Sequence, residues 1–263
     1  MKKAKADYLI QSVSRALDIL EAFVLGQEEL GVTELSRKLK LHKNNVFRLL
    51  ATLETRGWVE QDRESGTYRL GIKTFEVASV FLHHLGLVNQ AHAGLEQLAL
   101  ETGETAYLGV LEGGAVVCLD MVETTRAVRV VSYLGRRLPA HATALGKAQL
   151  AHRPQEEVER LFKDHEPVTL TPRTLTDTVR LADELARVAA QDVAVEDEEL
   201  DAGVRAVAAP VRDYARRVVG AVGVVGPTVR LPLDRLEGEL ATRVRVAAQQ
   251  VSKRLGYAVT PAP

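Results

Sequence analysis

The chain has 263 residues, 46% of them hydrophobic, which is enough for two domains with buried cores and argues against a disordered or fibrous protein. The formal net charge of -1 excludes a uniformly basic protein. Residues 1 to 73, however, hold 13 Lys and Arg against 10 Asp and Glu. Positive charge is therefore concentrated in the amino-terminal part, where a partner of negative charge would bind.

The cysteine content and the amino terminus bear on location. Cys118 is the single cysteine, so an intramolecular disulfide is excluded and a reducing compartment is favoured. The start MKKAKADYLIQ is basic, but no apolar stretch long enough for a signal peptide or a membrane span follows it. We therefore expect a cytoplasmic protein with no membrane association.

The first predicted elements are two helices. Residues 12–24 (SVSRALDILEAFV) form the first, with Ser12 or Ser14 as its N-cap, and Thr33 is expected to cap a second helix from Glu34 to Leu39. The apolar positions of the first helix recur at helical spacing and are expected to be buried: Val13, Ala16, Leu17, Leu20, Phe23 and Val24.

A third helix is predicted from Lys43 to Arg56 and ends at Gly57, which has the residue type of a C-cap. The 3.6-residue period divides it into an apolar arc of Val46, Phe47, Leu49 and Leu53 and a polar arc of Asn45, Arg48, Thr52 and Thr55. Leu50 falls at the border of the two arcs and is expected to pack under the preceding helix. We expect the apolar arc to be buried and the polar arc to be exposed.

A hairpin follows this helix. Strands are predicted at Trp58–Gln61 and Thr67–Leu70, around a turn from Asp62 to Gly66. Two short helices followed by a tight hairpin form a winged helix-turn-helix, which places its last helix in the major groove of DNA.

The exposed chemistry agrees with that interpretation. Asn can bond adenine, Arg can bond guanine, and the Thr methyl can contact thymine, while five cations and no acid lie between Arg37 and Arg48 to neutralise phosphate. The alternative is a basic amphipathic helix that never contacts DNA. The predicted DNA-binding residues are Thr33, Arg37, Lys43, Asn44, Asn45, Arg48, Thr52, Arg63 and Arg69.

The next segment is predicted to be a linker helix from Lys73 to Leu87. It is apolar over most of its circumference, at Phe75, Val77, Ala78, Val80, Phe81, Leu82 and Leu85. Such a surface predicts a seam between two copies of the chain, although burial within its own chain is the alternative. Nearby His83, His84 and His92 lack a carboxylate or cysteine at ligand spacing, so we expect a solvated helix end and no metal or cofactor.

The remainder predicts an α+β domain with an antiparallel sheet, because adjacent hairpins alternate with grouped helices. The predicted strands are Ala106–Leu111, Ala115–Val122, Ala127–Tyr133, Arg205–Val211 and Val218–Val225. The predicted helices are Gln90–Thr102, Thr143–Ala151, Gln155–Asp164, Thr176–Gln191 and Leu233–Leu255.

Residue types that catalysts use are present here, but no catalytic site is predicted. Cys118 lies in an apolar strand, and the acidic run from Glu196 to Asp201 is interpreted as a solvated turn. Gly220, Gly223 and Gly226 do not form the GxGxxG pattern and lie in a strand, so a dinucleotide site is rejected.

Several segments resemble the IclR type of bacterial transcriptional regulators. The resemblance covers nearly the whole chain, from SVSRALDILEAF through LGIKTFEVAS, GRRLPAHATALGKAQLA, TPRTLTD and EDEELDAGVRAVAAPVRD to VVGAVGVVGP. It implies a GAF-like effector-binding domain, a homodimer that pairs into a tetramer, and binding to a pseudopalindromic double-stranded DNA operator. Domains are therefore expected at 1–72 (winged helix-turn-helix), 73–88 (linker helix) and 89–263 (GAF-like).

The resemblance also implies a small-molecule pocket, which carried over by motif consists of Ala127, Val130, Ala144, Leu145, Gly146, Glu196, Val204, Ala206, Gly223 and Val225; Tyr107 is added to it as a candidate hydroxyl donor. Where relatives often have Cys this chain has Ala206, and where members that bind small oxo-acids have two serines it has Gly223 and Val225. Missing hydroxyl donors and apolar walls favour a larger, less polar effector. Two groups could orient a polar end: the backbone N–H groups at the start of the helix after His141, and the Tyr107 hydroxyl if its strand turns it inward.

The sequence therefore predicts a transcriptional repressor or activator, not an enzyme, whose operator binding is controlled by a small organic acid, aromatic or medium-sized. The alternative is a GAF-like sensor or enzyme whose winged helix serves protein contacts.

Overall fold

The computed structural model describes residues 9–23, 29–164 and 166–258, without the side chains of residues 79–85. Val24 and the side chains of Val80, Phe81, Leu82, His83, His84 and Leu85 therefore lie outside the described residues. Contacts divide the chain into a smaller unit, residues 1–84, and a larger unit, residues 85–263. None of the helices in the described ranges is both long and apolar enough to cross a bilayer.

The smaller unit has the order of a winged helix-turn-helix. Its elements are α1 (Gln11–Ala22), α2 (Val32–Leu39), α3 (Lys43–Thr55), β1 (Val59–Gln61), β2 (Tyr68–Leu70) and α4 (Ile72–Leu85). Strands β1 and β2 are antiparallel, with Glu60 opposite Arg69, and Leu30 adds a bridge to Tyr68. Gly57 has a φ of +74° just after α3, which confirms its role in ending that helix.

The predicted caps of the first two helices are wrong. Helix α1 begins at Gln11 with Ile10 at its N-cap position, so Ser12 and Ser14 lie inside the helix. Thr33 likewise lies inside α2, where the Glu34 carboxylate accepts a hydrogen bond of 2.9 Å from the N–H of Gly31. The Glu34 carboxylate therefore satisfies a backbone donor at the helix start, a role that the prediction gave to the Thr33 hydroxyl.

Helix α1 buries a narrower face than predicted. Ile19, Ala22 and Phe23 are buried, whereas Val13 and Leu17 are exposed. The apolar positions of this helix extend around more of its circumference than α2 and α3 cover, so one apolar stripe remains on the surface.

The buried face of α3 differs from the predicted arc at Phe47, whereas Leu50 packs inside as expected. Leu50 is fully buried with Val46 and Leu53, and 54% of Phe47 is exposed. Spacings of four and three residues place Val46, Leu50 and Leu53 on one stripe, and Phe47 lies at its edge. The core of this unit packs on that stripe, at Ile19, Leu30, Leu35, Val59 and Tyr68.

The larger unit is an antiparallel sheet with helices on both faces. Its strands are β3 (Thr105–Glu112), β4 (Ala115–Val122), β5 (Arg137–Pro139), β6 (Ala194–Asp197), β7 (Val204–Arg212) and β8 (Val218–Pro227), in the order β5-β4-β3-β8-β7-β6. Its helices are α5 (Leu87–Thr102), α6 (Ala144–Leu150), α7 (Gln155–Asp164), α8 (Thr178–Gln191), α9 (Leu233–Arg235) and α10 (Ala241–Arg254). The predicted α+β class is confirmed.

Alternation along the strands gives each face of this sheet its own core. Val207, Ala209 and Val211 pack with residues of α5 and α10, such as Leu95 and Val244. Ala206 and Ala208 point the other way and pack with residues of α6 and α8, such as Leu145 and Leu185. Because both faces are covered, β7 is apolar at nearly every position.

Three predictions for this unit are wrong. Residues 127–133 form no strand but part of a loop, and the edge strand is Arg137–Pro139, which pairs with Ala115–Val117. The acidic run is not a solvated turn, because Glu196 and Asp197 belong to β6 and Glu196 is buried. The last helix is interrupted by a π-helical segment, Leu236–Leu240.

Substitutions in α3 test which face is buried. We expect Leu50→Ala to lower the free energy of unfolding by about 3 kcal/mol, because it leaves a cavity in the core. Phe47→Ala, at a mostly exposed position, should change it by less than about 0.5 kcal/mol. Urea denaturation followed by circular dichroism measures both, and equal costs for the two variants would contradict this assignment of the faces.

Candidate functional site

The outward face of α3 carries polar and basic side chains. Lys43, Asn44, Arg48 and Thr52 are exposed and Asn45 is half-buried. The Thr52 hydroxyl donates to the Arg48 carbonyl at 2.9 Å, so its hydrogen is used within the helix. Its oxygen can then only accept from a group outside. This face can therefore donate hydrogen bonds from Lys, Arg and Asn and accept them at Asn and Thr.

The cations of this surface are available to an external partner. Within the described residues no ion pair involves Arg37, Lys43, Arg48 or Arg63, and each of these side chains is exposed. Arg69 differs, because its guanidinium lies 3.3 Å from the Glu60 carboxylate across the hairpin. Thr33 is exposed near the start of α2. Lys38 is also used internally, since its ammonium donates to the Ala22 carbonyl at 2.9 Å.

The hairpin turn is ordered by a single carboxylate. Asp62 Oδ1 accepts from the N–H groups of Glu64 at 2.8 Å and Ser65 at 2.9 Å. These backbone donors lower the pKa of Asp62, because they stabilise its ionised form. The turn therefore presents Arg63 on a defined backbone.

In the larger unit, most of the residues that the resemblance assigns to a pocket come together on the α6 face of the sheet. Six are buried in one apolar cluster: Tyr107, Val130, Ala144, Leu145, Ala206 and Val225. Val204 is half-buried against that cluster. Ala127 is exposed in the loop that replaces the predicted strand, so it does not lie in the cluster.

Gly223 explains why Tyr107 turns inward. The two residues are paired across β3 and β8, and a Cβ added at Gly223 would lie 2.8 Å from Tyr107 Cε1 and 2.5 Å from the Val207 carbonyl oxygen. The aromatic ring therefore occupies the space that a side chain at Gly223 would need. Tyr107 accordingly supplies a hydroxyl on the face where the serines of relatives are missing.

Glu196 is buried on the same face, with 2% of its surface exposed. Burial, followed by the nearby charge of Glu199, raises its pKa to about 8, so it carries a proton at neutral pH. Its Oε1 accepts a hydrogen bond of 3.3 Å from the N–H of Leu200. A protonated carboxyl can also donate, which an ionised one cannot.

The loop between β4 and β5 contributes Tyr133, which the sequence did not indicate. Its ring is buried in the same cluster, and its hydroxyl donates to Asp201 Oδ2 at 2.9 Å. Burial, followed by the charge of Glu196, raises the pKa of Tyr107, and burial, followed by Asp201 and then Glu196, raises the pKa of Tyr133. Two phenol rings and one neutral carboxyl therefore lie near one another in an apolar interior.

A second polar group of this interior was also missed. Lys147, 1% exposed, lies 2.5 Å from Glu199 Oε1 and 3.4 Å from Glu184 Oε1. Glu199 Oε2 is buried and accepts no hydrogen bond from the described residues. The signal in the sequence was a single lysine in the apolar run ALGKAQL, which only a distant acid could neutralise.

At the start of α6, where an anion site was predicted, one of the backbone donors is already used within the chain. Thr143 Oγ1 accepts from the N–H of Gly146 at 3.1 Å, so the helix start is capped by its own side chain. Gly146 is present because of close packing: an added Cβ would lie 2.1 Å from the Ala140 carbonyl oxygen.

Cysteine and histidine side chains, which often serve in catalysis, have structural roles in the described part of this chain. Cys118 is buried, and burial raises the pKa of its thiol to about 12, which keeps it unreactive at neutral pH. His141 Nε2 lies 3.1 Å from the Val168 carbonyl. His92 is not simply solvated as predicted, because Asp120 lies 2.8 Å from its Nδ1. No group of ligating residues in the described part of the chain could hold a metal ion.

Comparison with known proteins agrees with both units. Residues 12–63 match the IclR helix-turn-helix domain, and residues 79–253 match the carboxy-terminal domain of the bacterial transcriptional regulator IclR. The HTH-type transcriptional regulator XynR of Escherichia coli K12 is 36% identical over 252 residues, which cover 95% of this chain and 98% of XynR.

Two solved structures illustrate the fold. The IclR of Thermotoga maritima is 28% identical, with a TM-score of 0.76 over 94% of this chain and 99% of that one. An IclR homolog from Microbacterium hydrocarbonoxydans, solved in complex with 4-hydroxybenzoate, is 24% identical, with a TM-score of 0.83 over 93% of this chain and 98% of that one. The exposed polar helix, the hairpin, the covered antiparallel sheet and these matches show that the chain belongs to the IclR family of DNA-binding transcriptional regulators.

Proposed function

We propose that this regulator binds a two-fold symmetric operator as a homodimer or tetramer, and that an aromatic or medium-sized organic acid bound inside the larger unit controls that binding. The exposed face of α3 is the observation that supports DNA reading at named residues. The protein then acts in the cytoplasm, where its operator is. Ligand and operator are linked only if the ligand binds one arrangement of the assembly more tightly than the other.

Most of the residues proposed to contact DNA lie on α3. Asn45 and Arg48 present donors and acceptors for base edges, and Lys43 lies at the helix start for a phosphate. Exposed Phe47 joins this set, because an apolar ring beside polar groups can contact the methyl of a thymine. On the hairpin, Arg63 is the cation available to the DNA backbone, because Arg69 is partly engaged by its ion pair with Glu60.

A second copy of the chain would cover apolar surface in the smaller unit. Helix α1 and the two residues before it expose four large apolar side chains, and α4 exposes three more: Leu9, Ile10, Val13 and Leu17, and Ile72, Phe75 and Val77. Such patches rarely face water in a monomer, and their burial would stabilise a dimer. Two-fold symmetry of the protein then matches a pseudopalindromic operator.

The proposed effector chemistry rests on the interior around Tyr107. The walls are apolar, at Leu145, Ala206 and Val225, which suits an aromatic ring or a short chain. The phenol of Tyr107 and the protonated carboxyl of Glu196 are donors for a ligand carboxylate. These donors replace the serine hydroxyls that the sequence lacks.

Substitutions on α3 test DNA reading. Against an operator selected from a random duplex pool by the wild-type protein, we expect Arg48→Ala to cost about 1 to 3 kcal/mol and to relax preference at one base position. Lys43→Ala should weaken all sequences alike, because it loses a phosphate contact. Gel-shift titration measures both effects.

The control is Arg56→Ala, two turns further along and exposed, which should bind as wild type does. Binding by the wild-type protein should also fall steeply as salt rises, because counterions are released from the phosphates. Intact operator binding by both α3 variants would refute the assignment of α3 as the reading helix.

Ligand screening tests the effector. Thermal-shift measurements on the full-length protein with a panel of monocarboxylic acids, 4-hydroxybenzoate included, should find an acid that raises the unfolding temperature and changes operator binding. Tyr107→Phe should weaken that acid about tenfold, because a charge-assisted hydrogen bond is lost. Tyr214→Phe, at an exposed position, is the control. Undiminished affinity in Tyr107→Phe would exclude this hydroxyl as a donor.

The pH dependence of stability tests the state of Glu196. Its folded pKa of about 8 lies above the ordinary 4.5, so its contribution to stability is full below pH 4.5 and is lost as pH rises towards 8. Glu196→Gln removes that loss. The unfolding temperature of the variant relative to wild type should therefore rise between pH 5 and 8.5, whereas Glu156→Gln, at an exposed position, should show no such trend. A pH-independent difference for Glu196→Gln would mean that Glu196 is ionised when folded.

A further inference from the structure

Helix α7 is amphipathic, yet none of its side chains is fully buried. Val158, Leu161 and Phe162 are only half-buried against the domain. A cavity of about 480 Å³ lies between α7, α8 and the end of α6. The cavity opens to the surface, and its volume is typical of a small-molecule site.

The walls of this cavity are apolar. Leu150, Val158, Phe162, Leu181 and Leu185 line it. Alanines at three further positions keep it open, because they fill little of the space between the helices: Ala151, Ala182 and Ala186. A ligand with an apolar body would replace the contacts that α7 lacks.

The rim supplies a cation that forms no ion pair with the described residues, although Glu159 and Glu166 also line the site. Arg153 lies 3.4 Å from Glu157, and Glu159 accepts a hydrogen bond of 3.0 Å from Gln155. Lys163 is exposed and forms no ion pair with the described residues. An anionic group at this end would therefore gain an unshared charge partner.

The polar end of the site continues beyond Lys163. A second hollow of about 560 Å³ shares Phe162, Lys163 and Thr178 with the cavity and is lined further by Glu166, Pro167, Thr169 and Thr176. Lys163 thus marks the boundary between an apolar and a polar compartment. A molecule with an apolar body and an anionic head matches that order.

We propose that this cavity is a second small-molecule site, which binds a monocarboxylate with an extended apolar body. The carboxylate pairs with Lys163, and the apolar body packs against Phe162, Leu181 and Leu185. The cavity is lined by none of the residues proposed to bind the effector, namely Tyr107, Leu145, Glu196, Ala206 and Val225. Leu150, Leu181 and Leu185 line it from the outer edge of the same buried cluster.

The site has a physical connection to the interior of the domain. Helix α8 forms one cavity wall, and its Glu184 lies 3.4 Å from the Lys147 ammonium on α6. A ligand that fixes α7 against α8 adds contacts absent from the empty cavity. It therefore raises the unfolding temperature of the full-length protein.

Calorimetric titration of the full-length protein with decanoate below its micellar concentration tests the proposal. We expect one saturable site per chain and no binding of decyltrimethylammonium, which has a chain of the same length and the opposite charge. Lys163→Gln should weaken decanoate about fivefold, as expected for an exposed ion pair. Ala182→Trp, at an exposed position lining the mouth, should weaken it more than about tenfold by filling the cavity.

Matched controls separate this site from the rest of the chain. Ala190→Trp lies on the same helix outside the cavity, and Lys253→Gln removes an exposed lysine from α10, so both should bind as wild type does. Tyr107→Phe should also leave decanoate binding unchanged.

Three outcomes would overturn the proposal. One is the absence of saturable binding, and another is full affinity in Ala182→Trp. The third is weakened decanoate binding in Tyr107→Phe, which would locate the fatty acid in the interior around Tyr107. If Ala182→Trp instead changes the number of chains in the assembly, measured by light scattering, and decanoate does not bind, the cavity is an interface between copies.

Discussion

The larger unit depends on close packing between the short helix α6 and the sheet, which only very small residues permit. A Cβ at Gly109 on β3 would lie 3.0 Å from Leu145 Cδ1 on α6, and one at Gly146 would lie 2.1 Å from the Ala140 carbonyl oxygen in the turn before α6. Ala206 and Ala208 on β7 also have small side chains, so that α6 can pack close to this strand. Every residue of α6 is buried as a result, so the helix behaves as part of the core. Because α6 is buried in this way, aromatic rings pack on the same face of the sheet, and the Lys147 side chain has no access to water.

Burial at that depth determines the electrostatics of the interior. A lysine without solvent needs counter-charges, and Glu199 and Glu184 provide them from elements that follow α6 in the chain. The negative charge of Glu199 in turn makes ionisation of Glu196 more costly, which adds to the effect of burial. The interior therefore contains an ion pair beside a neutral carboxyl. That combination leaves a hydrogen-bond donor for a ligand anion without an additional buried charge.

The smaller unit follows a different principle, in which a thin core leaves a functional surface free. Helix α3 contributes three fully or nearly fully buried side chains, Val46, Leu50 and Leu53, and the rest of its circumference faces outward. Lys38 is used to hold α2 to the end of α1, whereas Arg48 has no ion pair within the described residues. Exposed apolar stripes on α1 and α4 add a surface that a single copy does not cover. The polar and basic side chains on α3 and the exposed apolar side chains on α1 and α4 thus lie on separate helices of one small domain.

The sequence by itself determined the class, the family and most elements, because those follow from local periodicity, turn residues and motifs. Helix α7 and strand β4 have the predicted bounds, and the hairpin lies where its turn residues indicated. Tertiary structure decided what local patterns could not. The alternating run from Ala127 to Tyr133 has the pattern of a strand, but the edge of β4 pairs with Arg137–Pro139 instead. The sequence predicted a solvated turn at Glu196, but this residue is buried. Its neighbour Glu199 lies beside Lys147, which is 52 residues away in the chain. Phe47 was predicted to be buried and is exposed, because burial in α3 depends on where α1 and α2 lie, and periodicity gives only the spacing of a stripe and not the direction it faces.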